Sequence, residues 1–207
     1  MTTLIMGNGG HFIEVMDIHI RNGKSINDFI SFDETLNAEK ITKDGITVIN
    51  NLAAPSVLTD IEAINLGVGE IALRERFVKL IAPTGIPVIG IRSNNILIGT
   101  QNDFIHPTVD IMDGVQISSG CEIDSHTLLN RNVNIHHHSK VGSFCHICPG
   151  ATLLGGVSVG NRTLIGSGSI ILPGIKIGDN VKIGAGAVVS KNIADGKTVV
   201  STNLKYL

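Results

Sequence analysis

The stretch "VNIHHHSKVG" sets three histidines side by side, His136, His137 and His138, in an otherwise aliphatic and polar run. Imidazole moves protons near neutral pH and is also the commonest metal ligand. Residue type alone therefore leaves three readings open: one catalytic base with two neighbours, a metal site, or a polar corner. Six of the eight histidines fall between His106 and His146. A second chemical candidate is the turn "GNGGH", with Gly9 and Gly10 before His11. A glycine turn between strand and helix lets backbone N–H groups approach a phosphate at the helix N-terminus. Phe12 stands where the dinucleotide fingerprint requires glycine, which argues against an NAD site.

Two segments with different patterning must position these residues. Residues 1–95 alternate short apolar runs with helical spacing. "TLIMG" reads as a strand, "FIEVMDIHIRNG" as a helix ended by Gly23, and "INDFISFDE" and "IEAINLGVG" as further strands. "EIALRERFVKLIAPTG" reads as a helix stopped by Pro83 and Gly85, and "IPVIGI" as a last strand. That order implies a small Rossmann-like parallel α/β domain. Residues 96–104 read as a linker. From Ile105 to Val189 every sixth residue is Ile, Leu or Val, fifteen times in succession. Four residues after each anchor comes a small or aliphatic residue, as at Val109, Cys121, Ala151 and Ser169. This is the hexapeptide repeat of a parallel β-helix over residues 105–193, with residues 194–207 as its C-terminal cap. Three hexads make a coil, so the residue stacked over His137 is Gly155.

Composition narrows the function classes. Charged residues are 16% of the 207 and the net charge is −2, so no basic excess draws the chain to nucleic acid or an anionic membrane. No apolar run reaches bilayer-spanning length, and the N-terminal run reads as a strand rather than a signal peptide. Three cysteines, without disulfide spacing, fit a reducing cytoplasm. "CHIC" suggests zinc or redox chemistry, but it has no second ligand pair nearby. Cys121 and Cys145 occupy the small inward position of their hexads, so no metal is expected there.

The hexads resemble the left-handed parallel β-helix of the hexapeptide acyltransferases. The ordered motifs "MGNGGHFIEV", "FISFDE", "GEIALRERF", "FIHPTVDI", "LLNRNVNIHHHSKVGSFCHICPGATLLGGVSVG" and "IGAGAVVSKNIADG" extend the resemblance to nearly the whole chain. Together they are similar to the sialic-acid O-acetyltransferase family, which includes the PglD-type UDP-amino-sugar N-acetyltransferases. The resemblance implies a homotrimer with active sites at subunit interfaces and acetyl-CoA held between neighbouring β-helices. The activity it implies is acetyl transfer to the amino group of a UDP-4-amino sugar in bacterial surface glycan synthesis.

By the same resemblance His137 is the general base, Gly155 the oxyanion donor and His146 a second histidine near the acetyl group. Gly166, Gly168 and Gly184 are corner glycines available to the coenzyme A arm, although turning the chain explains each one singly. Gly9, Gly10, His11, Asp33, Glu34, Gly67 and Gly69 fall at the nucleotide-sugar site. Arg74 is either a further diphosphate contact or a solvent-facing helix residue.

Two departures stand out. The family sets an acidic residue beside its base, where this chain offers His136 and His138 as possible supports. It also lacks the "GxPA"-like turn before its end, which leaves "STNLKYL" in that place. Sugar O-acetylation is the near alternative to N-acetylation. From other classes, a γ-carbonic-anhydrase-like zinc lyase would use a trimer-interface histidine cluster, and a non-catalytic sugar-nucleotide-binding trimer would use the helix only to assemble. Three adjacent side chains diverge, which weighs against a shared ion.

Overall fold

The computed structural model describes residues 2–36, 40–43, 45–52, 58–101 and 104–200. The chain divides into two compact units, Met1–Asn94 and Asn95–Leu207.

In the first unit β1 (Thr2–Met6) runs into α1 (Gly10–Arg21), followed by β2 (Phe29–Phe32), β3 (Lys40–Lys43), β4 (Ile46–Ile49), β5 (Ile61–Leu66) and α2 (Ile71–Ile81). The sheet order is β3-β4-β2-β1-β5, parallel except for the antiparallel edge pair β3–β4. In α1, Phe12, Val15 and Ile18 recur at helical spacing and are buried, and Gly23 leaves the helix at φ +97°. Phe77 and Ile81 of α2 join Leu4, Met6, Phe32 and Ile64 in one cluster. Burying each such side chain contributes about 1.5–3 kcal/mol.

Two features depart from the sequence reading. "IPVIGI" makes no strand, only a bridge from Val88 to Ile64, because Pro87 has no N–H to donate and Gly90 follows three residues later. The β3–β4 hairpin has no counterpart in that reading. Its signal was the Asp-Gly dipeptide at 44–45, with Gly45 at φ +82°.

The second unit is a left-handed parallel β-helix whose two-residue strands stack into three sheets. The register is eighteen residues, as in Glu122↔Lys140, Leu128↔His146 and Asn134↔Thr152. Anchors such as Ile111, Ile123, Ile147, Ile165 and Ile183 are fully buried and form one continuous core. Inward hydroxyls satisfy carbonyls of the following coil: Thr127 donates to Gly142 O at 2.7 Å and Thr163 to Gly178 O at 2.8 Å.

The solenoid is longer at both ends than the hexad count implies. Leu97 pairs with Gln116, nineteen residues on, so the first coil carries one extra residue and absorbs part of the expected linker. Lys182 pairs with Thr198, sixteen residues on, so the last coil is two residues short and takes in part of the expected cap. Each length change breaks the period without breaking the hydrogen-bonded ladder. The rest of the cap, residues 201–207, lies outside the described residues. No described helix is long and apolar enough to cross a membrane.

Candidate active site

His137 is the first residue of a corner that follows the strand Asn134–Ile135. Its backbone is fixed by Gly156 N–H donating to His137 O at 2.9 Å, while its ring is exposed. The ring rests against the next coil: a Cβ built on Gly155 would lie 2.6 Å from Cε1 and 2.7 Å from Nε2, but 3.3 Å from Nδ1. Gly155 is therefore glycine because the imidazole occupies the space of a side chain. Among the described residues its N–H makes no hydrogen bond, which leaves an unused backbone donor on the residue that the ring packs against. The expected base and the expected oxyanion donor are in contact.

The other edge of the ring meets His138. The two Nδ1 atoms lie 3.0 Å apart, and the rings are 5.2 Å apart at 80°. Of the two candidate supports, the structure brings His138 to His137 and not His136, whose backbone N–H continues the ladder to Leu153 O. The expectation that adjacent side chains diverge holds for extended backbone. It fails here because His138 sits at φ +59°, which turns the corner back on itself.

His146 lies on a different sheet, between Leu128 and Leu164 in register. Its Nε2 is 3.3 Å from Asn130 Nδ2. An amide nitrogen only donates, so Nε2 accepts and the proton of neutral His146 is on Nδ1. Asn130 escaped the sequence reading; its signal is the position directly after the anchor Leu129. Among the described residues no hydrogen bond or ring contact joins His146 to His137.

The later glycines have local explanations. A Cβ on Gly166 would come within 2.6 Å of Gly184 C and Ala185 N, so Gly166 lets two coils approach. Gly168 holds φ +63° at a turn, and Gly184 donates its N–H to Val199 O at 2.7 Å. Among the described residues, no group of three His, Cys, Asp or Glu is placed to hold a metal ion. Burial pushes the Cys145 thiol up to about 12 and the Cys148 thiol up to about 11. Both therefore stay protonated thiols at neutral pH, which is unsuited to metal or redox work.

In the first unit, three segments follow the C-terminal ends of the adjacent parallel strands β2, β1 and β5, the edge where ligands of such sheets bind. Gly9 and Gly10 open α1, and a Cβ on either would meet nothing within 4 Å, so packing does not require glycine there. His11 Nδ1 lies 2.9 Å from Glu14 Oε2, while its Nε2 is buried with no partner among the described residues.

Asp33 closes its own turn, accepting from Thr35 N–H at 2.9 Å and from Thr35 Oγ1 at 2.7 Å. Glu34 pairs with Arg76 of α2 at 2.8 Å, a partner that sequence reasoning missed. Gly67 is a packing glycine, since a Cβ there would lie 2.6 Å from Ile5 Cγ2; Gly69 follows it in the same segment. Arg74 matches neither expectation: it is fully buried and donates to Val68 O at 2.9 Å, holding that segment from beneath. A cavity of about 210 Å³ beside α1 is lined by Asn8, Phe12, Ile13, Met16, Ile46 and Val48, also unforeseen.

Residues 156–191 match the family model for the bacterial transferase hexapeptide (six repeats). No curated protein matches the chain. Among solved structures, a mutant of perosamine N-acetyltransferase from Caulobacter crescentus, in complex with CoA and GDP-perosamine, is similar at TM-score 0.86 and 22% identity, over 99% of this chain and 96% of that one. The acetyltransferase domain of PglB from Neisseria gonorrhoeae FA1090, in complex with acetyl coenzyme A, is similar at TM-score 0.86 and 23% identity, over 100% and 98%. WeeI from Acinetobacter baumannii AYE is similar at TM-score 0.88 and 23% identity, over 100% and 99%. The chain thus carries bacterial transferase hexapeptide repeats within a whole-chain fold that it shares with these solved structures.

Proposed function

We propose that the protein is an acetyl-CoA-dependent acetyltransferase acting on the amino group of a nucleotide-linked amino sugar. The observation that carries this reading is the His137 ring seated on Gly155, a residue whose backbone N–H has no partner among the described residues. That pairing supplies both parts an acyl transfer needs, a base for the acceptor and a donor for the oxyanion. Nε2 takes a proton from the ammonium-derived amine as its nitrogen attacks the thioester carbonyl. A C–N bond forms, and the negative oxygen of the tetrahedral intermediate is held by Gly155 N–H. Collapse breaks the C–S bond, and the imidazolium returns the proton to the departing sulfur.

The β2, β1 and β5 ends are the proposed nucleotide-sugar site, with Gly9, Gly10 and His11 at the phosphates and sugar. Asp33 and Glu34 lie toward the nucleoside, and Gly67 and Gly69 on the third segment. His146 stands apart from His137 in one chain, which supports a homotrimer in which the neighbouring subunit brings it to the acetyl group. The proposed substrate is a UDP-4-amino sugar for a surface glycan.

The test is thiol release from acetyl-CoA against a panel of UDP- and GDP-linked amino sugars, with product analysis. Release with one 4-amino sugar and formation of its amide supports the reading. Absence of release with every amino sugar overturns it. Ester formation instead moves the acceptor to a hydroxyl.

A further inference from the structure

We propose that His138 is a positioning residue that takes the place of a carboxylate, fixing the tautomer of His137 so that Nε2 is the basic atom. This inference rests on the acetyl-transfer reading for its role in turnover, but its structural content stands independently. Three observations carry it.

The first is contact: the two Nδ1 atoms are 3.0 Å apart, so one of them must donate. The second is direction. His137 presents Nε2 to Gly155 and turns Nδ1 away from it, since a Cβ on that glycine would be 2.7 Å from Nε2 and 3.3 Å from Nδ1. A base working at Nε2 needs a lone pair there, so the single proton of neutral His137 sits on Nδ1 and is donated to His138 Nδ1.

The third is backbone conformation. The residues stacked with His138 in the coil before and the two coils after are Gly120, Gly156 and Gly174, all at positive φ, whereas His138 holds that conformation at φ +59° with a side chain. An L-residue in the left-handed region is strained, a strain that glycine would remove. Gly120 also makes room for the ring, since a Cβ there would lie 2.9 Å from His138 Cδ2. Each of the two rings therefore rests on a glycine, one in the coil before and one in the coil after.

The arrangement has a chemical consequence. A neutral imidazole accepts through Nδ1 much as a carboxylate oxygen would, and the hydrogen bond persists when His137 takes its second proton on Nε2. Two protons on the facing Nδ1 atoms would repel, so the device requires His138 to stay neutral. No other ionisable side chain has a recorded hydrogen bond or ion pair with either ring among the described residues.

The experiment reads the tautomer and turnover separately. Nitrogen-15 NMR of the intact protein, labelled at histidine, gives the tautomer of His137 in the native protein, in His138→Gly and in His138→Glu. Glycine suits the backbone at this position, and glutamate restores an acceptor. The expected result is an Nδ1–H tautomer in the native protein and in His138→Glu. In His138→Gly the His137 ring shifts toward Nε2–H.

In turnover, kcat of His138→Gly falls on the order of 10–100-fold, as for loss of an orienting partner, with KM unchanged. His138→Glu recovers most of that loss. An Nε2–H tautomer in the native protein, or an unaltered tautomer in His138→Gly, overturns the proposal. So does equal kcat in His138→Gly and the native enzyme. If the native protein releases no thiol at all, the acetyl-transfer reading falls, and the tautomer measurement still decides the His138 contact.

Discussion

The His137 imidazole is packed on Gly155, eighteen residues later, with the glycine occupying the place where a Cβ would lie 2.6 Å from ring atom Cε1. Nothing else in the corner demands glycine at that position, since its φ is not among the left-handed ones. A ring that excludes a side chain from the next coil, against a residue whose N–H is unused among the described residues, is an arrangement with no evident folding benefit. Its removal is therefore expected to affect chemistry far more than stability.

His137→Ala removes the proposed base and leaves the solenoid core untouched. Loss of a positioned general base lowers kcat by about 10²–10⁴-fold. As the side chain is exposed, stability should change by no more than about 0.5 kcal/mol. Steady-state thiol release and a thermal melt check both. Near-native turnover in a folded variant would remove His137 from the mechanism.

Gly155→Ala tests the seat. The backbone there accommodates alanine, but the new Cβ would drive the imidazole off Nε2 contact. We expect kcat to fall by about 10²-fold, as when an oxyanion donor is lost or obstructed, with an unchanged melting temperature. A variant that melts early but turns over normally would make Gly155 a packing residue.

Arg74→Met tests the buried clamp under the third segment of the first unit. It strands the Val68 carbonyl, which Arg74 holds at 2.9 Å, at a cost of about 1–3 kcal/mol. The expected outcome is a lower melting temperature and a raised KM for the nucleotide sugar, with KM for acetyl-CoA unaltered. Equal changes in both KM values would contradict a role confined to that segment.

Cys145 and Cys148 carry a pH signature. Burial raises their folded-state values from 9.0 to about 12 and about 11. A folded-state value above the unfolded one means that the native protein keeps its proton while the unfolded chain loses it. Their contribution to stability is complete below pH 9 and disappears as pH climbs from there toward 11 and 12. Denaturant titrations at pH 8 and pH 10 should show the fall, and a thiol reagent at pH 8 should label Cys145 only after unfolding.

Much of this was legible in the chain. The hexad period predicted the buried anchors from Ile111 to Val189, and eighteen-residue stacking put Gly155 next to His137 without any coordinates. Both depend only on which residues lie one repeat apart, a quantity that a regular solenoid preserves exactly as long as every coil has the same length. The reading went wrong where coil length changes, at Leu97 and Thr198, and where single residues override a pattern, as Pro87 and Gly90 do in "IPVIGI".

Other features required the folded chain. The period cannot tell which neighbour of His137 faces it; that choice belongs to the left-handed backbone at His138, which brings two Nδ1 atoms within 3.0 Å. Helical spacing cannot reveal that Arg74 is buried and bonded to a carbonyl, or that Glu34 is paired with Arg76, since both depend on elements distant in sequence. The sequence by itself determined the repeat, the core and the His137–Gly155 stack, because those follow from periodicity along the chain. The tertiary structure decided the partner of the His137 ring and the partners of the charges, because side-chain direction at a corner is set by backbone dihedrals and by packing that no period encodes.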